Sequence, residues 1–81
     1  MKITVTQQHI DNGVKGSCTH DPIALALKDS GFEDPWVSPV RITHKHKQAV
    51  GFPVPEEVLA FMRAFDNHEA VEPFEFELEG D

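Results

Sequence analysis

A lone cysteine, Cys18, among 81 residues leaves no internal disulfide framework to staple the chain and fits a reducing compartment. Long apolar runs are missing as well. None approaches the roughly 20 residues that a membrane-spanning helix needs, so no membrane role is expected. The opening Met1-Lys2-Ile3-Thr4-Val5-Thr6 alternates polar and apolar side chains and lacks the unbroken apolar core of a secretory leader. Basic charge is short: 7 Lys and Arg stand against 14 Asp and Glu, a formal net charge of −7. That balance argues against direct nucleic-acid binding by the domain as a whole. There is no internal repeat, no low-complexity tract, no CxxC, no HExxH and no Gly-rich phosphate loop. What is present is 40% apolar and 26% charged residues. This suits one folded domain, residues 1–81, in the cytoplasm rather than a disordered chain.

Periodicity supplies the elements. Ile3 and Val5 share one face of a strand over Lys2 to Thr6. Thr6 caps a short helix through Asn12, and Gly13 is expected to end it in the left-handed conformation. Asp21-Pro22 is a stronger helix start, because the carboxylate takes up free amides and proline loses nothing at the first helical position. That helix runs to Ser30 and stops at Gly31, with Phe32 folding back on Leu27. Trp36 to Thr43 reads as one strand, with Trp36, Val40 and Ile42 on one face and Pro39 marking an edge or bulge. His44 to Gln48 reads as a hairpin tip and Ala49 to Val54 as the return strand. Pro55 opens the longest helix, whose Val58, Leu59, Phe61, Met62 and Phe65 form a single stripe. Phe74-Glu75-Phe76-Glu77-Leu78-Glu79 alternates without a break: one face apolar, the other acidic. The expected fold is a two-layer α+β domain in the order β-α-α-β-β-α-β. Its helices pack on one face of a three- or four-stranded, mainly antiparallel sheet.

The charge is divided unevenly. Residues 1–55 hold six basic and five acidic groups, net +1, whereas residues 56–81 hold Arg63 against nine acids, net −8. Glu75, Glu77 and Glu79 recur at the strand period, so their carboxylates line up roughly 7 Å apart. With Glu56, Glu57 and Glu72 they form a candidate surface for a basic partner protein. The bland alternative is a strand face that is acidic only for solubility. The opposite pole is Arg41, His44, Lys45, His46 and Lys47, a cluster able to hold an anion such as a nucleotide phosphate. A basic hairpin tip also blunts edge pairing, and no aromatic residue interleaves these cations to stack a base.

Reactive chemistry is thin. Cys18-Thr19-His20-Asp21 brings a thiol, an imidazole and a carboxylate together in sequence, but zinc needs about four such ligands converging at ~2.0–2.3 Å. Asp21 is already occupied as a helix cap. Cys18 before a helix start, with His9 or His20 as base, is the one nucleophile arrangement to weigh. The thiol is read instead as a small buried apolar group. No catalytic residue, no metal and no cofactor is assigned, and the chain is not expected to be an enzyme.

Thr4-Val5-Thr6-Gln7-Gln8-His9-Ile10-Asp11-Asn12-Gly13, continuing through Cys18 to Pro22-Ile23-Ala24-Leu25-Ala26-Leu27, resembles a family of small uncharacterised bacteriophage-encoded proteins. Ala64-Phe65-Asp66 and Val71-Glu72-Pro73-Phe74-Glu75-Phe76-Glu77-Leu78 resemble the way its members close. The resemblance carries over no functional residue. It implies a phage accessory protein in the host bacterial cytoplasm, where small acidic phage proteins bind and block host proteins. The expected function is therefore non-enzymatic binding, and inhibition, of a host protein with a basic surface. An anionic-ligand binder using residues 41–47 and a homo-oligomer pairing through a strand edge are the alternatives.

Overall fold

The computed structural model describes residues 1–44 and 47–78, without the side chains of residues 44 and 47–50. Lys45, His46 and Glu79, all named above as candidate site residues, lie outside the described residues. The elements are β1 (Lys2–Val5), α1 (Gln7–Asn12), α2 (Pro22–Asp29), β2 (Pro35–Val37), β3 (Arg41–His44), β4 (Lys47–Pro53), α3 (Glu56–Asp66) and β5 (Phe74–Glu77). The class is α+β, and every strand pairing is antiparallel.

The strands form two sheets rather than one. β1 pairs with β5, joining the two ends of the described chain, and β2, β3 and β4 form a separate meander. The extra strand arises at Ser38-Pro39-Val40. Trp36 to Thr43 is not one strand, because the chain reverses there and pairs Val37 with Ile42. Pro39 has no N–H to give a ladder, and the Ser38 hydroxyl closes the turn by accepting from the amides of Val40 and Arg41. The expected shared face of Trp36, Val40 and Ile42 is corrected accordingly. Val40 is 76% exposed, and Val37 joins Ile42 in the core.

Helix α2 is the centre of the packing. Ile23, Ala24, Ala26 and Leu27 are fully buried, and the helix lies against both β1 and β2. Its ends are defined by local chemistry. The Asp21 carboxylate accepts from the Ala24 amide at 2.6 Å, and Pro22 sits at the first helical position. At the other end Phe32 donates to the Leu27 carbonyl and Gly31 to that of Lys28. That bond pair needs a left-handed residue, which Gly31 provides at φ +95°. Phe32 is buried, as its position in this motif requires, and meets Phe52 of β4 edge to face at 6.0 Å.

Helix α3 buries Val58, Phe61, Met62 and Phe65, leaving Leu59 half-buried, and the Phe61 ring meets Phe74 of β5 at a tilt of 34° with 4.9 Å between ring centres. The inner face of the β1–β5 ribbon, Ile3, Val5, Phe76 and Leu78, completes the core.

Gly13 does a different task from the one expected. It is extended, with φ −70°, and the left-handed position falls on Gly16 in the following loop. A Cβ on Gly13 would stand 2.5 Å from Cγ of Pro22. The loop closed by the Val14 amide on the His20 carbonyl presses the backbone of Gly13 onto the start of α2, and only a glycine permits that approach. Gly13→Ala is therefore expected to destabilise the protein by about 1–3 kcal/mol, the range for overpacking. Chemical denaturation checks this as a lower midpoint at unchanged slope.

Candidate functional site

The two outer residues of β5 hold the most organised charge in the described chain. Its apolar side chains turn inward, so Glu75 and Glu77 turn to solvent beside Lys2 and Thr4 of β1. Glu75 takes an ion pair from the Lys2 ammonium at 3.4 Å and a hydrogen bond from the Thr4 hydroxyl at 3.3 Å. Glu77 takes one from the amino group of Met1 at 3.3 Å. The row is thus not bare carboxylate: each described member faces one cation from β1. All of these groups stay at least 46% exposed, so each pair contributes about 0.2–1 kcal/mol and exchanges readily for another cation.

The remaining acids lie elsewhere. Glu56 and Glu57 occupy the first turn of α3, where they oppose the positive end of the helix dipole. Glu72 sits in the connection leading into β5. All three are exposed, and no ion pair reaches any of them among the described residues. No ion pair among the described residues links the α3 pair to the β5 pair. In the basic alternative, Arg41 is exposed at the start of β3 opposite Pro53. His44 and Lys47 are paired across the ends of β3 and β4. The side chains of His44 and Lys47, like the whole of Lys45 and His46, lie outside what is described.

His9 is used for structure. His9 stands at the third position of α1. Its Nδ1 accepts from the Thr6 amide at 3.0 Å while the Thr6 hydroxyl accepts from the His9 amide at 3.3 Å. With Nδ1 occupied as an acceptor, the ring proton sits on Nε2 and is donated to the Asp29 carboxylate of α2. Both ring nitrogens are committed, and the imidazole locks α1 to the end of α2. The sequence carried a signal for this, since T-x-x-H is a capping box with His in place of Glu or Gln. His20 bonds the Thr19 hydroxyl at 2.8 Å. Among the described residues, no three His, Cys, Asp or Glu side chains stand where they could hold a metal ion. Cys18 is half-buried, and its carbonyl accepts from Val37.

Shallow cavities mark the surface. One of about 350 Å³ lies between α1 and the end of α3, beside Ile10, Phe65, His68 and Val71. At its rim the Lys15 ammonium sits 4.7 Å above the Phe65 ring. Another, of about 310 Å³, opens at the Thr6 and Pro73 end of the ribbon. A third, of about 300 Å³, lies beside the His9–Asp29 pair.

No family model, curated protein or solved structure matches this chain.

Asp21 is the one strongly perturbed group among the described residues. Burial pushes its carboxyl up to about 7, the nearby Asp66 carboxylate adds to the rise, and the amides of Ala24 and Ile23 oppose it. The folded protein therefore holds this proton more tightly than the unfolded chain, whose Asp titrates near 3.8. The stability that Asp21 contributes is complete below pH 4 and declines as pH rises toward 7, by at most about 4 kcal/mol. Asn keeps an oxygen for the Ala24 amide but cannot ionise. Asp21→Asn is expected to flatten the fall in denaturation midpoint between pH 4 and pH 8, and to be the more stable protein at pH 8.

Proposed function

We propose that this protein is a non-enzymatic binding protein whose acidic C-terminal third docks on a basic surface of a partner protein and blocks it. The observation that carries this reading is the division of charge: net −8 over residues 56–81 against net +1 before them. It is supported by the exposure of every candidate acid that is described, namely Glu56, Glu57, Glu72, Glu75 and Glu77. The ion pairs on Glu75 and Glu77 do not oppose it. Exposed pairs of this strength yield to a partner that brings a closer or better-oriented cation, and the Lys2, Glu75 and Glu77 side chains are exposed enough to re-orient. In the setting implied by the phage resemblance, the partner is a host protein in the bacterial cytoplasm. A field of this sign also speeds encounter with basic proteins and turns nucleic acid away. No helix among the described residues is long and apolar enough to cross a membrane.

The protein immobilised in bacterial lysate is expected to retain basic proteins at about 0.1 M salt, where the Debye length is ~10 Å, and to release them toward 1 M, where it is ~3 Å. The Glu75→Lys, Glu77→Lys double variant gives up two exposed ion pairs, a loss small enough to leave it folded by circular dichroism. It is expected to lose those proteins. Equal retention by this variant, or retention indifferent to salt, would overturn the reading.

A further inference from the structure

We infer that β5 is an acceptor edge, on which an extended segment of the partner with cations at alternate positions adds to the β1–β5 ribbon as a third strand. This names the kind of partner for the acidic docking surface and rests on that reading.

The phase of the ladder decides which backbone groups are open. Met1 and Leu78 exchange both of their backbone bonds, at 3.1 and 2.8 Å. In an antiparallel pair such doubly bonded positions recur at every second residue. The register then makes Ile3↔Phe76 and Val5↔Phe74 the bonded pairs, and the N–H and C=O of Glu75 and Glu77 point away from β1. β5 has no strand on that side among the described residues, and both glutamates are exposed. A row of outward donors and acceptors is a template for strand addition. Phe74-Glu75-Phe76-Glu77 has no lysine, no proline and no bulge, and its glutamates repel an acidic strand but not a basic one.

The side chains choose the occupant. A strand laid along β5 places every second side chain directly beside Glu75 or Glu77 on the solvent face. Lys or Arg there meets a carboxylate from the side opposite Lys2 and Met1. A second copy of β5 would set glutamate against glutamate, which is unfavourable at directly opposed positions. The intervening side chains of the added strand fall in line with Phe74 and Phe76 on the inner face, where β-branched or apolar residues fit. The occupant is accordingly a basic, alternating segment of another protein. A third strand also strengthens a ribbon that has only two.

The test uses the whole protein and a blocked seven-residue peptide alternating Lys with Val and Thr, followed by amide hydrogen exchange. Saturating peptide is expected to slow exchange at Glu75 and Glu77 at least tenfold and to leave Phe76, already bonded to β1, unchanged. Glu75→Pro removes an outward N–H and no ladder bond, and is expected to weaken peptide binding at least tenfold. Glu75→Gln with Glu77→Gln is expected to weaken it and to abolish its salt dependence. Absence of protection at the two amides overturns strand addition. So does equal binding by Glu75→Pro, which would show docking by charge alone and leave the acidic-surface reading standing. Failure of the native protein to retain any salt-sensitive lysate partner would remove that broader reading separately. Equal binding of a peptide with Glu in place of Lys, or a dimer by light scattering that Glu75→Pro dissolves, also overturns the assignment. Should Glu75→Pro fail to fold, amide protection in the native protein decides alone.

Discussion

A two-stranded ribbon is marginal on its own and gains stability by packing against a helix, and α2 packs against both the ribbon and the meander. Ile23, Ala24, Ala26 and Leu27 vanish entirely from solvent, so the helix cannot shift without exposing one sheet or the other. Its ends are correspondingly well determined, by a carboxylate and a proline at the start and by a left-handed glycine at the stop. The same constraint has a cost. A cap buried deeply enough to anchor a central helix is a carboxyl held out of water, and this is why Asp21 alone among the described groups is pushed up so far. Gly13 and His9 belong to the same arrangement, one yielding space to Pro22 and the other tying α1 to Asp29.

The surface follows from this core. Two of the titratable side chains are absorbed into structure, His9 as a cap tied to Asp29 and Asp21 as an anchor for α2. On β5 exposed carboxylate and an open strand edge occur together. These two features coincide because β5 alternates: the residues whose side chains face water are the ones whose backbone faces away from β1. Charge and hydrogen-bonding template are thus presented along one line, which is the physical basis for reading the ribbon as a docking element.

Much of this was legible in residue order. The alternation of Ile3 and Val5, the Asp-Pro helix start and the Gly31-Phe32 stop are local patterns found in place, as are the stripe of α3 except for Leu59, which is half-buried, and the Phe-Glu alternation of β5 as far as Leu78. Where local pattern and structure differ, the deciding contact is remote or the local signal is ambiguous. Glycine after a short helix suggests a left-handed stop, but the role of Gly13 is set by Pro22, nine positions away in sequence and close in space. Alternation from Trp36 to Thr43 suggests one strand, since alternation alone does not say whether Pro39 bends a strand or ends it.

Sequence by itself settled the class of the fold, the identity of its helices and the sign of the C-terminal charge, because all three depend on neighbours within one or two turns of chain. The tertiary structure alone decided that the strands divide into two sheets, that β1 closes on β5, and that Lys2 and the amino terminus stand beside Glu75 and Glu77. Those outcomes depend on which distant segments cover each other's apolar faces, and burial of that kind has no direction along the chain.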